Sequence, residues 1–332
     1  MAYSGVWILA EQKRGRIESV SFELLRQGAE LSQKNGQQLC AMVFGNNIEQ
    51  SQLQELIYRG AQRVVCVELA ALDDFLVEPY AACMLDVIER YKPEIIIAAA
   101  TTTGRTLMPY VAIKANAGLT ADCTELDIEP QTGNLLQTRP AIGGNIMATI
   151  KTPDHRPQMS TVRPRSTKQA DRCPNAEGEI VRISADESLL KSGARYIGFR
   201  ANEDGVSISG ADVVVAVGRG IKRAENLPMI YELADLLGAA VGATRDVVDR
   251  GWLSYPHQIG LSGQTVSPKL YIGIGLSGTI QHIAGMQTAE RIVAINSDPE
   301  AQIFKLADFG IVGDLFKVVP LLIERIKRGE KI

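Results

Sequence analysis

Gly273, Gly275 and Gly278 fall in G-x-G-x-x-G spacing within Leu270-Tyr-Ile-Gly-Ile-Gly-Leu-Ser-Gly-Thr-Ile-Gln-His-Ile-Ala-Gly-Met. Leu270 to Ile272 are strand formers, and the residues from Thr279 onward can open a helix. Ile292 to Ile295 make a second short strand, and Asp298 lies twenty residues past Gly278. Glycines at such a turn let backbone N–H groups approach a pyrophosphate, and the N–H groups of a helix start face the anion. By spacing alone the ligand is a dinucleotide, most often NAD, with the acidic residue on a ribose.

Other chemistry-bearing residues gather at comparable turns. Gly218-Arg219-Gly220, Thr244-Arg245, Gly275 to His282 and Asn296 to Asp298 each follow an apolar run that reads as a strand. In an open parallel sheet such turns share one edge, beyond the carboxyl ends of the strands. Together they offer two guanidiniums, several hydroxyls, glycine backbone and one imidazole, a cradle for a large anionic ligand. No serine sits in a G-x-S-x-G elbow, and no Cys or His has an obvious local partner. A cradle without a nucleophile suits a protein whose cofactor carries the chemistry.

The composition narrows the classes. The chain has 332 residues, 45% of them hydrophobic, and a formal net charge of -3, which argues against a polyanion such as nucleic acid as partner. No apolar run approaches the ~18 residues of a membrane span. The start, Met1-Ala-Tyr-Ser-Gly, lacks the pattern of a signal peptide, so a cytoplasmic location is expected. The five cysteines, Cys40, Cys66, Cys83, Cys123 and Cys173, show no metal-ligand spacing and read as reduced structural thiols. With only His155, His257 and His282 available, a His-rich metal centre is excluded.

The elements that must hold these turns follow from periodicity. Strands are expected at 6–10, 38–44, 63–69 and 94–99, with helices at 19–35, 48–60, 78–91 and 106–116. Continuous apolar strands between amphipathic helices imply a parallel sheet covered on both faces. Residues 116–165 change character, and the segments 145–150 and 158–162 read as hairpins appended to that sheet, with turns at 131–134 and at Gly143-Gly144. A strand at 179–183 and a polar linker over 191–210 follow. Alternation then resumes, with strands at 212–217, 239–243, 270–272 and 292–295. Helices are expected at 224–237 and 315–328, with a short helix or turn at 247–252. The reading is α/β, two open parallel-sheet domains with a doubly wound C-terminal one, divided into 1–205 and 206–332.

The stretch from Leu270 to Met286, continued by Ile292-Val-Ala-Ile-Asn296, closely resembles the signature of the electron transfer flavoprotein alpha subunit. Val217-Gly-Arg-Gly-Ile-Lys222, Val241-Gly-Ala-Thr-Arg245, Ser297-Asp-Pro-Glu-Ala301 and Ala307 to Pro320 agree with it. The resemblance spans 211–328 and extends more loosely to Gly104-Arg105 and Thr161 to Arg165. It implies FAD held mainly by the second domain, in a heterodimer with a beta subunit. It also implies electron exchange with dehydrogenases, of the acyl-CoA class, either as a simple carrier or within a flavin-based bifurcating complex. By position, Arg245 would lie over the flavin, where a fixed cation favours the anionic reduced form. Ser262 aligns with a hydroxyl at the ring's N5 edge, and His282 with an imidazole near its pyrimidine carbonyl. Arg219, Thr244, Gln264 and Thr265 would line the ring and ribityl chain. Ser277, Gly278 and Gln281 would meet the phosphates, and Asn296 and Asp314 the adenosine end. Gly263 and Gly275 complete the implied cofactor-binding set. Leu261 departs from the pattern, standing where Gln or Thr is common. Asp298, a ribose ligand under NAD, becomes a helix cap under this resemblance. The competing reading, an NAD-dependent dehydrogenase using Gly273 to Gly278, needs a catalytic residue in the other domain, where His155 is the only histidine.

Overall fold

The computed structural model describes residues 3–141, 146–184, 192–198, 208 and 210–329. The chain divides into two compact units, 1–198 and 199–332.

The first unit opens with β1 (Val6–Ala10), whose five residues are all buried. A two-residue ribbon, β2 (Gln12–Lys13) and β3 (Arg16–Ile17), precedes α1 (Val20–Asn35), which Gly36 ends in the left-handed conformation. The alternation continues through β4 (Leu39–Gly45), α2 (Gln50–Tyr58), β5 (Arg63–Glu68), α3 (Val77–Tyr91) and β6 (Ile95–Ala99). Strands β1, β4, β5 and β6 lie parallel in a seven-stranded sheet, in the order β5-β4-β1-β6. Two apolar clusters, one built on Ile8, Val43 and Ile97 and the other on Trp7, Met42 and Ile96, cover its opposite faces, as the alternation of neighbouring strand residues requires.

Two details differ from the sequence expectation. Helix α4 (Thr102–Lys114) begins a turn earlier than expected. The Thr101 hydroxyl accepts from the Gly104 N–H at 3.2 Å, so the polar residues before Thr106 are themselves the capped first turn. Gly104 also lets the helix start sit on the end of β6, since a Cβ there would meet the Ala99 carbonyl oxygen at 1.8 Å. Second, the segment 158–162 is no hairpin. After β7 (Leu119–Cys123) comes an appended antiparallel sheet of β8 (Glu125–Ile128), β9 (Leu135–Pro140) and β10 (Met147–Ile150). The next strand, β11 (Gln158–Val162), runs parallel between β6 and β7 inside the main sheet. Its buried polar groups are satisfied by distant segments: Gln158 Oε1 accepts from Leu135 N, and Thr161 Oγ1 accepts from Asp122 N. The expected strand at 179–183 is present: β12 (Glu179–Ser184) closes the other sheet edge, parallel to β5. The turn expected at Gly143-Gly144 lies outside the described residues. Most of the 191–210 linker, and the 205/206 boundary, also fall outside them.

The second unit is a five-stranded parallel sheet. Its elements are β13 (Val213–Val217), α5 (Leu227–Leu237), β14 (Ala240–Ala243), α6 (Arg245–Asp249) and β15 (Leu270–Ile274). They continue with α7 (Ile280–Ile283), β16 (Ile292–Asn296), β17 (Phe309–Val312) and α8 (Leu315–Lys327). The strand order is β14-β13-β15-β16-β17. The sequence pattern predicts no strand at 309–312, an exposed edge of four residues, and places the short helix two residues late. From β13 the chain goes through α5 to β14 on one side; β15, β16 and β17 then build outward on the other. The order therefore reverses between β13 and β15, the switch point where open parallel sheets leave a crevice. No helix among the described residues is long and apolar enough to cross a membrane.

Candidate functional site

A cavity of about 720 Å³ opens at the carboxyl ends of β13, β14, β15 and β16. Each strand contributes the turn that follows it. Arg219 and Gly220 come after β13, Thr244 and Arg245 after β14, Gly275 to Thr279 after β15, and Asn296 and Asp298 after β16. A fifth wall is the loop Gln258 to Ser262, hydrogen-bonded to the end of β14 through Ile259 N and Ala243 O at 2.9 Å.

The glycines permit a close approach of backbone to backbone. Gly220 N donates to Gly275 O at 2.9 Å, and a Cβ on Gly220 would lie 2.7 Å from Gly275 Cα. Gly275 and Gly278 have φ of +61° and +75°, the left-handed region that other residues enter at a cost. A Cβ on Gly278 would meet Ile303 N at 2.5 Å. The motif thus lets neighbouring chain segments pack into a thin floor beneath the cavity. Asn296 ties the floor to β16: its Nδ2 donates to Leu276 O at 2.8 Å, and its Oδ1 accepts from Asp298 N at 3.0 Å.

Charge at the rim is mixed. Arg245 Nε lies 3.2 Å from Asp249 Oδ2, one helical turn on, and Arg219 Nη1 lies 3.6 Å from Asp246 Oδ2. Both arginine side chains are 70% exposed, so these pairs hold their geometry weakly and leave the guanidiniums available to a ligand. Two hydroxyl-bearing residues of the lining differ in their surroundings. Thr244 Oγ1 is buried without a hydrogen-bond partner. Ser262 Oγ accepts from Gln258 Nε2 at 3.1 Å, which leaves its own O–H to donate elsewhere.

His282 backs the wall from inside and is 4% exposed. Its Nδ1 lies 3.1 Å from Ile259 O and its Nε2 lies 2.6 Å from Tyr271 Oη. Burial pushes its pKa down to about 4, while the Ile259 carbonyl pulls the other way, so the ring is neutral near pH 7.

Of the residues singled out by sequence, Arg219, Thr244, Arg245, Ser262, Gly275, Ser277, Gly278, Gln281, His282 and Asn296 are brought together on this cavity. Gly263, Gln264 and Thr265 are not among its lining residues. The loop folds back after Ser262: Gly263 N donates to Gly260 O at 3.0 Å and Gln264 N to Gln258 O at 2.6 Å. Asp314 caps α8, accepting from Phe316 N at 3.0 Å, and also lies off the lining. Asp298 reaches the rim and closes a turn, accepting from Glu300 N at 2.9 Å. Sequence reasoning missed Asp246, Asp249 and Gln258. Asp249 could have been found from its i,i+4 relation to Arg245. Gln258 could not, because only the loop's fold turns it toward Ser262. Leu261 lines the cavity with its side chain mostly exposed.

This donor set suits a large anionic ligand of dinucleotide size. Backbone glycine turns and hydroxyls form one side, and two guanidiniums form the other. Residues 6–188 match the model of the electron transfer flavoprotein domain, and residues 207–287 match that of the electron transfer flavoprotein FAD-binding domain. The electron transfer flavoprotein subunit alpha of Thermoanaerobacterium thermosaccharolyticum is 48% identical, covering 98% of each chain. That of Megasphaera elsdenii is 43% identical over 99% of this chain and 98% of its own. The lactate dehydrogenase (NAD(+),ferredoxin) subunit LctC of Acetobacterium woodii is 41% identical over 99% of this chain and 78% of its own.

Proposed function

This chain belongs to the electron transfer flavoprotein alpha-subunit family, with FAD as its cofactor, and from that premise we propose that it carries electrons between dehydrogenases and an acceptor while paired with a beta subunit. The observation that carries the reading is the cradle itself: a dinucleotide-sized cavity with guanidiniums at its rim and glycine backbone at its floor. FAD supplies the redox chemistry when bound. The chain's own residues bind it, set its charge environment and shield it.

Ser277, Gly278 and Gln281 hold the phosphate end through hydroxyl, backbone and amide donors, and Asn296 keeps that floor in place. Arg219 and Thr244 line the ring and ribityl portion of the site. Arg245 supplies the positive charge that favours an anionic reduced flavin. Ser262, oriented by Gln258, would offer its O–H to the ring as a hydrogen-bond donor. Gly263, Gln264 and Thr265 on the returning loop, and Asp314 at the start of α8, complete the proposed cofactor-binding set.

The electron donor we propose is of the acyl-CoA dehydrogenase class, and the location is cytoplasmic, where the five free thiols stay reduced. A second reading, the transfer subunit of a bifurcating complex, is favoured by the likeness to a subunit of an NAD- and ferredoxin-dependent lactate dehydrogenase. An anaerobic stopped-flow experiment tests the carrier. The FAD-loaded protein, co-purified with its beta subunit, is mixed with an acyl-CoA dehydrogenase pre-reduced by its acyl-CoA. Bleaching of the oxidised flavin band on a turnover timescale is expected. No bleaching, in a sample that dithionite bleaches fully, would remove the proposed donor class.

A further inference from the structure

His282 and Tyr271 form a buried pair that the proposed electron carrier does not obviously need. Tyr271, on the central strand β15, is fully buried, and burial pushes the pKa of its phenol upward, so the hydroxyl keeps its proton. That hydroxyl lies 2.6 Å from His282 Nε2. On the other side of the imidazole, Nδ1 lies 3.1 Å from the Ile259 carbonyl.

These partners fix the proton. A carbonyl oxygen only accepts, so Nδ1 must carry the hydrogen. A neutral imidazole then has a bare Nε2, which accepts from the Tyr271 O–H. The alternatives are disfavoured by the same contacts. Protonating Nε2 would turn its N–H onto the tyrosine oxygen and strand the phenolic proton in an apolar core of Val214, Ile259 and Met286. The groups that face the ring are the Tyr271 phenol from β15 and the Ile259 carbonyl from the loop. Among the described residues, no charged side chain contributes to its protonation.

We propose that Tyr271 is a positioning residue that locks His282 as the neutral Nδ1–H tautomer, so that the imidazole forms a fixed uncharged wall of the flavin site and donates no proton to the cofactor. This inference rests on the FAD reading of the cavity and deepens it. Positive charge beside a reduced flavin then comes from Arg245 and Arg219 and not from His282. The contact that places His282 near the pyrimidine carbonyl is one of packing and dipole.

The test is selective ¹⁵N-histidine labelling of the full chain, assembled with unlabelled beta subunit, with and without FAD. Three histidines keep the spectrum simple, and His282→Gln assigns the signal. Two-bond ¹⁵N–¹H correlations report the tautomer directly. The Nδ1–H pattern is expected from pH 6 to pH 8 in both samples. An Nε2–H pattern, or an imidazolium at pH 7, overturns the proposal. The FAD-free sample separates this outcome from failure of the cofactor reading, because the tautomer reads out whether or not FAD binds. Tyr271→Phe removes only the hydroxyl and should let His282 bind its proton about tenfold more tightly, a rise of about one pKa unit. An unchanged titration in that variant also overturns the proposal, since a merely structural tyrosine would leave it in place. Should the variant not fold, the wild-type tautomer alone decides.

Discussion

Replacing Arg245 by alanine should lower the reduction potential of the bound flavin, and the structure bounds the amount. A unit charge about 4 Å from a developing negative charge interacts by about 1 kcal/mol in water and by about 4 kcal/mol at an effective dielectric near 20. The Arg245 and Asp249 side chains are 70% and 58% exposed, so the water limit is the better guide. A loss of about 1 kcal/mol corresponds to about 45 mV for a one-electron step. Asp249 sits 3.2 Å from the guanidinium and opposes it. Asp249→Asn should therefore shift the potential upward, by less than Arg245→Ala lowers it. Because the two residues touch, the double variant should not be the sum of the singles. The assay is an anaerobic spectroelectrochemical titration of the FAD-loaded protein, at low and high salt. Raised ionic strength should shrink both shifts, since the rim is exposed. An unchanged or raised potential in Arg245→Ala, with FAD still bound, would refute the electrostatic role.

Other expectations concern stability and the cavity floor. Glu11, half-buried after β1 and hydrogen-bonded by Thr101, has its pKa raised to about 7, mainly by desolvation. The folded state thus holds this proton more tightly than the unfolded chain does. Stability from the group is full below the unfolded value of about 4.5 and is lost as pH rises through 7. Glu11→Gln keeps the acceptor and removes the buried charge. It should stabilise the fold at pH 8, by at most on the order of 3 kcal/mol, and change little at pH 4; calorimetry at both pH values checks this. Gly278→Ala forces a left-handed alanine, about 1–2 kcal/mol, against the Ile303 backbone, and should weaken FAD retention on gel filtration together with stability. Gly104→Ala meets a carbonyl that cannot move without breaking β6, and should lower the unfolding temperature in a thermal-shift comparison far more than Gly133→Ala in an open turn.

The α/β alternation was legible because continuous apolar strands such as Ile95 to Ala99 and capped amphipathic helices carry it locally. β11 was not. Gln-Met-Ser-Thr-Val reads as a polar alternation, yet all five residues are buried, and its hydrogen bonds come from partners 23 and 39 residues away. β17 escaped because a short exposed edge with Gly310 in it has no apolar period. At the site, each turn that directly follows a strand was legible, since the chain must emerge there at the sheet's carboxyl edge. Gly263 to Thr265 lie off the cavity lining because the loop doubles back after Ser262, which the sequence does not show, and the inward turn of His282 depends on Tyr271, which reads only as a strand residue.

The central claim is that the β13–β16 edge holds the FAD. Equilibrium titration of flavin-depleted protein with FAD, wild type against Ser277→Asp, tests it most directly. Ser277 lies on the cavity rim beside Gly278, and a carboxylate there would repel the phosphates. Tight, saturable binding is expected of the wild type, and a loss of at least about tenfold, roughly 1.4 kcal/mol, of the variant, with stability unchanged. Equal affinity in a folded Ser277→Asp protein would contradict the claim.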